Sequence, residues 1–325
     1  MRLTTRRGTV AALTASLVLA LAACSSSSTA DGGATADGGS DAGTITVEHA
    51  QGSTEVPADP QRVVVLDFGA LDTLDALGLD DHVVGVPQSS PVPDFLSDYK
   101  GEKYTDVGTL QEPDLEALAR LDPDLVIVGF RSAAAYPDLS KSFPTVDITF
   151  PYTNFLDSFG ESAQILGQIF HKEDEVDAKL AEIDAKAEEV KAQGAAAGTG
   201  MVVSTSGGEV TMYGEDSRFG LIFTELGMTD AVQGVANTPH GEVVSFEAVR
   251  DANPDWLFVN DRDAAIGQGD AKPAEQVLDN ELVAATTAWQ QQQVVYLDPQ
   301  RWYIAQHGLN NVPAMLDEVG QALAR

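Results

Sequence analysis

Residues 114–131 read DLEALARLDPDLVIVGFR, and residues 245–262 read SFEAVRDANPDWLFVNDR. The two stretches align without a gap at an offset of 131 positions. Each reads as a short amphipathic helix, a Pro-Asp turn, an apolar β-strand and a terminal arginine. Two copies are too few for a solenoid, which needs at least three stacked units. The repeat therefore predicts two similar lobes, with Arg131 and Arg262 each placed just after a buried strand.

The sequence around the repeat alternates apolar strands with helices, which is typical of a parallel sheet covered on both faces. A hairpin is expected at 44–56, turning near Gln51 and Gly52. Further strands are expected at 63–66, 83–86, 125–128, 201–204, 210–213, 256–259 and 294–297, and helices at 70–77, 115–121, 219–226, 246–252, 273–278 and 309–324. The predicted fold class is α/β, with two three-layer lobes.

A long helical stretch lies between the two halves, at about 154–170 and 173–193. The segment at 173–193 carries a single apolar stripe that recurs at steps of three and four, formed by Val176, Leu180, Ile183, Ala187 and Val190. Pairs at i,i+4, Glu175 with Lys179 and Glu182 with Lys186, are expected to support it. A rod of this length spans about 30 Å. We therefore predict an N-terminal lobe at 44–170, a connecting backbone helix at 171–194 and a C-terminal lobe at 195–325.

The N-terminal stretch reads as a targeting segment. Residues 1–23 combine three arginines with an apolar run too short to span a membrane, as in a signal peptide. Cys24, the only cysteine, follows Leu-Ala-Ala and resembles the acylated cysteine of a bacterial lipobox; an incidental cysteine is the alternative. Arg6 and Arg7 leave Sec and twin-arginine export both open. Residues 24–43 are rich in Ser, Gly and Asp, so a flexible tether to a membrane anchor is expected.

Composition narrows the function. A formal net charge of -31 over 325 residues excludes a general nucleic-acid binder, because phosphate contacts need a basic surface. The chain has no GxSxG elbow, no GxxxxGK[ST] loop and no HExxH motif, and its five histidines are too scattered for a sequence-local metal cage. These absences favour a binding protein over an enzyme.

Five polar residues at loop positions are the candidates for a binding site. Arg131 and Arg262 end the two matched strands, Arg218 precedes a helix, His240 lies in NTPHGE, and Tyr303 precedes the last helix. Taken singly, such an arginine more often forms a surface salt bridge in a chain with fifty carboxylates. Ligands of open α/β sheets, however, bind outside the carboxyl ends of the strands, so the arginines are expected to share one cleft.

Several stretches resemble the ferric-siderophore-binding lipoproteins of ABC importers, most closely the branch that takes catecholate and petrobactin-type ligands. The stretches are 54–79 (TEVPADPQRVVVLDFGALDTLDALGL), 107–128 (VGTLQEPDLEALARLDPDLVIV), 214–227 (GEDSRFGLIFTELG), 238–249 (TPHGEVVSFEAV), 253–265 (NPDWLFVNDRDAA) and 294–312 (VVYLDPQRWYIAQHGLNNV). The resemblance covers the chain after the tether. It implies a class III periplasmic-binding-protein fold, no intrinsic cofactor, a monomer, and partners that are a ferric siderophore and an ABC permease.

The resemblance also implies residue roles. The matching positions Arg131, Arg218 and Arg262 hold the catecholate oxygens, as guanidinium groups suit anionic oxygen. His240 and Tyr303 complete the iron shell of a four-donor siderophore, and phenolate oxygen suits Fe(III). A six-donor ligand leaves both residues as hydrogen-bonding neighbours only. The choice between the two ligand types stays open.

One departure from the family pattern stands at 306–308, where Gln-His-Gly replaces a frequent Gly-rich run. Asp75 and Glu225 are candidates for docking on a permease, with an ordinary solvated helix face as the alternative. The rival functions are a haem or cobalamin binder of the same fold, an enzyme such as a siderophore hydrolase or ferric reductase, and a structural surface lipoprotein. The last of these predicts that the three arginines are spread over the outside.

Overall fold

The computed structural model describes residues 43–236, 238 and 240–325 of the chain. The predicted signal peptide at 1–23, the lipidation site Cys24 and the tether up to residue 42 lie outside the described residues. Within the described ranges, no helix has the length and apolar character needed to cross a membrane.

The first lobe is built on a five-stranded parallel sheet. Its strands, with the preceding hairpin, are β1 Thr44–His49, β2 Gly52–Pro57, β3 Val63–Val65, β4 Val83–Val86, β5 Thr105–Asp106, β6 Leu125–Val128 and β7 Thr145–Asp147. The parallel sheet has the order β5-β4-β3-β6-β7, whereas β1 and β2 pair only with each other, in an antiparallel two-stranded sheet. The hairpin prediction is confirmed. All residues of the central strands β3 and β6 are buried, as parallel strands covered on both faces require, and the edge strand β7 is buried as well.

The helices of the first lobe cover that sheet, and a long helix follows them. The helices of the first lobe are α1 Phe68–Ala76, α2 Leu115–Leu121, α3 Tyr136–Leu139 and α4 Phe155–Phe170, with 3-10 turns at Asp80–His82, Asp94–Lys100 and Ala133–Ala135. The long helix is α5 Glu173–Gly194. Helix α1 begins two residues before the predicted start. The cause is Asp67, whose carboxylate accepts hydrogen bonds from the N–H groups of Gly69 and Ala70 and so caps the helix.

The second lobe holds a mixed six-stranded sheet. Its elements are β8 Thr199–Ser206, β9 Glu209–Tyr213, α6 Leu221–Thr224, β10 Thr229–Asp230, β11 Glu242–Val244, α7 Phe246–Ala252, β12 Trp256–Asp261, α8 Arg262–Ala265, α9 Ala274–Leu278, α10 Glu281–Ala284, α11 Thr287–Gln290, β13 Val294–Leu297 and α12 Asn311–Leu323, with a π-helix at Gln300–Ala305 before α12. The strand order is β11-β9-β8-β12-β13, with β10 beside β8.

Two predictions for this lobe need correction. The sheet is not purely parallel, because β9 returns antiparallel to β8 through Gly207 and Gly208, which both have positive φ. Such a two-residue glycine turn makes a hairpin. The helix expected at 219–226 is shorter, since α6 spans only Leu221–Thr224.

Alternate residues of the central strands enter separate hydrophobic clusters. In β3, Val63 and Val65 belong to one cluster and Val64 to another, and in β12 Phe258 and Leu257 separate in the same way. Each sheet is therefore packed on both faces, which is the predicted three-layer arrangement. The domain limits 44–170, 171–194 and 195–325 stay a prediction, because the part of the chain that the structure describes packs as one compact unit.

Helix α5 buries four of the five residues of the predicted stripe, and Leu180 is partly buried. The two expected i,i+4 ion pairs are replaced by others. Lys186 pairs with Asp317 of α12, which packs along α5, and Glu175 pairs with Lys172 at 2.9 Å. The neighbouring helix thus supplies a partner that a single-helix pattern does not include.

The two copies of the repeat fold alike. Helices α2 and α7 are seven residues each and are capped by the side chains of Asp114 and Ser245. Both end at a left-handed residue, Asp122 with φ 47° and Asn253 with φ 43°. Sequence identity at these positions is not needed, because Asp and Ser both cap helices and Asp and Asn both tolerate left-handed backbone.

The aspartate of each Pro-Asp turn anchors a neighbouring strand. Asp124 Oδ2 accepts hydrogen bonds from the N–H groups of Gln61 and Arg62, just before β3. Asp255 Oδ2 accepts from the N–H and the hydroxyl of Thr199, at the start of β8. The two identical aspartates therefore set the register of equivalent strand pairs, β6 on β3 and β12 on β8.

A buried polar junction joins α1 of the first lobe to the segment before α12. Asp72 Oδ2 accepts hydrogen bonds from the N–H groups of Asn310 at 2.8 Å and Asn311 at 2.9 Å, so a first-lobe carboxylate caps a second-lobe helix. Asp67 lies 2.9 Å from Nε2 of His307, and both side chains are buried. Burial raises the pKa of Asp67, but the charge of His307 and hydrogen bonds outweigh it, and the net pKa is lowered.

Candidate functional site

Three arginine side chains converge on the ring of Tyr303. The Cζ atoms of Arg131 and Arg218 each lie 4.8 Å from the ring centroid, and that of Arg262 lies 5.9 Å away. These are cation–π distances. Arg262 Nε also donates a 2.9 Å hydrogen bond to the Tyr303 hydroxyl, and Arg131 Nη2 donates a 2.6 Å bond to the Tyr303 carbonyl oxygen. The arginines are not spread over the outside, which argues against a structural lipoprotein with no small ligand.

The fold explains why these residues meet. Arg131 follows β6 after two residues, and Arg262 follows β12 directly, so both lie at the carboxyl ends of the matched strands. Arg218 lies in the loop between β9 and α6. Tyr303 lies in the π-helix, a rare form that often marks functional sites. It is 2% exposed.

Arg262 is held by a second contact that the sequence did not reveal. Its Nη1 donates a 2.9 Å hydrogen bond to the hydroxyl of Ser206, which in turn donates to Asp263 Oδ1 at 2.9 Å. Asp263 Oδ2 also accepts from the N–H of Gly207 at 2.7 Å. The buried Asp263 therefore fixes Ser206, and Ser206 fixes the guanidinium of Arg262.

The arginines change the acidity of the phenol. Burial raises the pKa of Tyr303, but the hydrogen bond from Arg262 and the charges of Arg218 and Arg131 outweigh burial, and the net pKa lies below its ordinary value. The pKa of Arg131 is lowered, first by burial and then by the charge of Arg218. The site therefore concentrates positive charge that favours an anionic oxygen.

The cleft has two chambers that share Arg131. The larger, of about 540 Å³, is lined by Phe130, Arg131, Thr149, Tyr152, Arg218, Thr238 and Gln306. The smaller, of about 240 Å³, is lined by Ser90, Pro91, Leu110, Gln111, Arg131, Arg262, Ile266, Tyr303 and Ile304. A cavity of about 610 Å³ elsewhere is lined by the carboxylates of Asp94, Asp261, Glu275, Asp298 and Glu318 and suits an anion poorly. We therefore assign the candidate site to the arginine-bearing chambers.

The larger chamber has an aromatic wall that sequence analysis did not identify. Phe130 and Tyr152 stack with their centroids 5.6 Å apart and their planes 26° apart. Phe130 has φ 46°, a left-handed conformation that is unusual for a bulky residue. The one sequence feature that could have identified Phe130 as a site residue is its position directly before Arg131. No local sequence pattern predicts a left-handed phenylalanine.

His240 is not among the residues that meet at Tyr303. It is exposed, and no described contact joins it to the tyrosine. It lies two residues after Thr238, which lines the larger chamber. His307, in contrast, is buried, and its ring packs against Phe130, Phe150 and Phe159. An iron-binding role for His240 stays a prediction.

The two docking candidates have partners within the protein. Asp75 is exposed, yet it accepts hydrogen bonds from the Tyr99 hydroxyl at 3.2 Å and from Asn310 Nδ2 at 3.3 Å. Glu225 is half-buried. Burial and the charge of Asp157 raise the pKa of Glu225, although the backbone N–H groups at the start of α4 act in the opposite direction. Their role in docking stays a prediction.

Comparison with known proteins places the fold. Residues 63–301 match the family model described as "Periplasmic binding protein". The chain belongs to this family. The match spans both sheets and α5, and the solved structure of the petrobactin-binding protein YclQ from Bacillus subtilis superposes on this periplasmic binding protein with a TM-score of 0.84. The predicted fold class, with two α/β lobes joined by one long helix, is confirmed.

Relatives of this periplasmic binding protein carry siderophore-related names. YclQ is 39% identical over 284 residues, covering 86% of this chain and 89% of that protein. The ferric-anguibactin-binding protein FatB of Vibrio anguillarum is 34% identical over 281 residues, covering 85% and 86%. The structure of the periplasmic catecholate-siderophore binding protein VctP from Vibrio cholerae has a TM-score of 0.80 at 34% identity, covering 85% of this chain and 99% of that chain. The resemblance drawn from the sequence motifs is confirmed.

Proposed function

We propose that this periplasmic binding protein captures a ferric siderophore of the catecholate class in the cleft and delivers it to an ABC importer for iron uptake. The observation that carries the proposal is the convergence of Arg131, Arg218 and Arg262 on Tyr303 in a chain of net charge -31. A ferric tris-catecholate is anionic, and guanidinium groups pair with its oxygens. The names of the petrobactin and catecholate binders among the relatives support the same ligand class.

In this proposal the three arginines hold the chelate oxygens, and the iron arrives with the siderophore rather than as a resident cofactor. Tyr303 would bind iron directly when a four-donor siderophore leaves two positions open. Its lowered pKa supports this, because the ligand form is the phenolate. His240 would supply the other position, and its loop would have to bring it to the iron. A six-donor ligand would need neither residue.

We further propose that the protein binds its ligand without catalysis and acts as a monomer. Cys24 would carry a lipid that anchors it to the outer face of the cytoplasmic membrane. Asp75 and Glu225 would meet the permease, one from each lobe. The exposed side chain of Asp75 and the half-buried side chain of Glu225 allow this, although both also have partners within the protein.

Titration of intrinsic tryptophan fluorescence tests the proposal. Trp302 is buried and directly precedes Tyr303 in the chain, so we expect its fluorescence to respond to a ligand in the cleft. We expect saturable quenching by ferric catecholates, weaker quenching by ferric citrate and ferric hydroxamates, and recovery of the ligand chemically unchanged. Saturable binding of haem or cobalamin without binding of any ferric catecholate would overturn the ligand class. Recovery of a hydrolysed or reduced ligand would overturn the absence of catalysis.

A further inference from the structure

Gln306 occupies a backbone position that normally suits glycine. It follows the π-helix with φ 60° and ψ -24°, in the left-handed region that residues with side chains rarely adopt. Backbone strain of this kind persists where surrounding contacts hold it and is concentrated at ligand-binding sites.

Both ends of the Gln306 side chain are bonded. Its Oε1 accepts a 2.6 Å hydrogen bond from the Tyr152 hydroxyl, and its Nε2 donates a 2.9 Å bond to the Tyr303 carbonyl oxygen. Arg131 Nη2 donates to that same carbonyl at 2.6 Å. Gln306 is 4% exposed. It therefore ties the aromatic wall of the first lobe to the tyrosine around which the arginines gather.

Tyr152 is suited to donate in this arrangement. Burial raises its pKa, the charges of Arg218 and Arg131 oppose the increase, and the net pKa stays above the ordinary value. The phenol thus keeps its proton and donates to Gln306. Its ring stacks on Phe130, whose N–H donates a 2.7 Å bond to the Thr149 hydroxyl. The wall is therefore held at the Tyr152 hydroxyl and at the Phe130 backbone.

The larger chamber consequently presents a flat aromatic wall close to two guanidinium groups. A planar aryl group with ring oxygens satisfies both features, by stacking and by charge pairing. A non-aryl carboxylate or hydroxamate chelate can pair with the guanidinium charges but has no aromatic ring to stack on the wall. Gln306 links the wall to Arg131, because it accepts from Tyr152 and donates to the Tyr303 carbonyl oxygen that Arg131 also binds.

We propose that Gln306 is a specificity-determining residue, which positions Tyr152 beside Arg131 and Arg218 so that the larger chamber selects aryl-oxygen chelates over non-aryl anionic chelates. This inference rests on the proposed function. It adds a selectivity role that the arginines alone do not supply, since guanidinium groups accept any suitably placed anionic oxygen.

Two variants remove the Gln306 contacts in different ways. Gln306→Gly keeps the left-handed backbone accessible and deletes both side-chain bonds. Tyr152→Phe keeps the stacked ring and deletes only the bond to Gln306. The probes are the ferric complex of 2,3-dihydroxybenzoate and ferric citrate, and the readout is the ratio of their dissociation constants. We expect each variant to reduce the preference for the aryl complex, Gln306→Gly by about two- to tenfold. The double variant should lose no more than the stronger single variant, because the two residues form one bond.

Gln300→Ala and Tyr296→Phe are the matched controls. Gln300 Oε1 also joins the lobes, by accepting a 2.8 Å bond from the N–H of Asp94, but it lies outside both arginine-bearing chambers. Tyr296 lines the acidic cavity. Both controls should leave the affinity ratio unchanged, and melting temperatures should be measured for all variants.

The outcomes separate the two proposals. If wild-type protein binds neither ferric catecholates nor the dihydroxybenzoate complex, the proposed function fails and the inference falls with it. If wild type prefers the aryl complex and Gln306→Gly keeps that preference, only the inference fails, whatever happens to the melting temperature. If Gln300→Ala lowers the preference for the aryl complex as much as Gln306→Gly does, the effect comes from weaker packing between the lobes. That result would also overturn the inference.

Discussion

Arg262 Nε donates a 2.9 Å hydrogen bond to the hydroxyl oxygen of Tyr303. The phenol oxygen therefore occupies the position that an anionic oxygen of a ligand would take to accept a hydrogen bond from Arg262. The guanidinium groups of Arg131 and Arg218 face the same ring at 4.8 Å. In the proposed function, an anionic ligand would compete with the Tyr303 hydroxyl for the Nε donor of Arg262. The free energy of ligand binding is therefore expected to depend on the three guanidinium charges, on the residues that hydrogen-bond to the arginines and on the ionisation of the Tyr303 phenol.

Removing one arginine should weaken binding of an anionic ferric complex. For Arg218→Ala or Arg262→Ala we expect a loss of about 1.5 to 3 kcal/mol, because each charge-assisted hydrogen bond contributes on that order. The measurement is a fluorescence titration with a ferric catecholate. Arg250→Ala is the control, since Arg250 is exposed on α7 and pairs with Asp251, and its removal changes the net charge equally. Equal affinities for Arg262→Ala and Arg250→Ala would contradict the assignment.

Tyr303 should ionise at lower pH than the other tyrosines whose pKa is shifted. Its net pKa is lowered, whereas the pKa values of Tyr99, Tyr152, Tyr213 and Tyr296 are raised, chiefly by burial. Ultraviolet absorbance of phenolate, followed as pH rises, should show an early step that is absent from Tyr303→Phe. Tyr296→Phe should keep this step. A step that persists in Tyr303→Phe would assign it to another residue.

The same variant tests iron ligation. With a four-donor ferric siderophore, a phenolate-to-iron absorption band should appear on binding and be lost in Tyr303→Phe. With a six-donor ferric siderophore no such band is expected from either protein, because the ligand fills the iron shell. A band that survives the substitution would exclude Tyr303 as an iron ligand.

Ser206→Ala should weaken ligand binding, although Ser206 contacts Arg262 and does not line either chamber. It removes the hydroxyl that joins Arg262 Nη1 to the buried Asp263, so the guanidinium loses one of its two anchors. We expect up to about a tenfold rise in the dissociation constant, by analogy with the loss of one hydrogen bond of about 1 kcal/mol. Thr211→Ala, in the neighbouring strand β9, is the control. If Ser206→Ala binds as wild type does, the Asp263–Ser206 pair does not position Arg262.

Much of the fold follows from the repeat because its signals are local. A capping side chain, a left-handed stop and a Pro-Asp turn each act within a few residues, and Asp124 and Asp255 then fix equivalent strand pairs. Element order therefore predicted the two lobes, the long helix and the meeting of Arg131 with Arg262. The antiparallel strand β9 departs from the parallel pattern through Gly207 and Gly208, which the strand pattern alone did not assign to a hairpin.

The rest of the site depends on contacts between distant segments. Tyr152 and Gln306 are 154 positions apart, and Asp72 and Asn311 are 239 apart, so no periodicity connects them. The same holds for Lys186, whose ion-pair partner comes from α12 rather than from its own helix. Sequence patterns identify chemical groups and their elements, whereas cross-lobe partners require the packed structure.

The cross-lobe cap at Asp72 should make stability depend on pH in an unusual direction. Burial raises the pKa of Asp72 from 3.8 to about 6, against the hydrogen bonds from the N–H groups of Asn311 and Asn310; the charge of Asp75 raises it further, and His307 lowers it. The folded protein therefore binds this proton more tightly than the unfolded chain does. The contribution of Asp72 to the free energy of unfolding falls as pH rises from about 4 to about 6, and above that range the ionised carboxylate costs about 3 kcal/mol.

Asp72→Asn isolates this contribution, because an amide oxygen still accepts the two backbone hydrogen bonds but carries no charge to bury. The variant should match wild type in free energy of unfolding near pH 4 and exceed it by up to about 3 kcal/mol at pH 7, measured by urea denaturation at each pH. Glu161→Gln, an exposed change on α4, removes the same charge and should keep a constant difference from wild type. The prediction is contradicted if the free energy of unfolding of Asp72→Asn lies below that of wild type by the same amount at pH 4 and at pH 7. In that case the N-terminus of α12 would stabilise the Asp72 carboxylate as strongly as burial destabilises it.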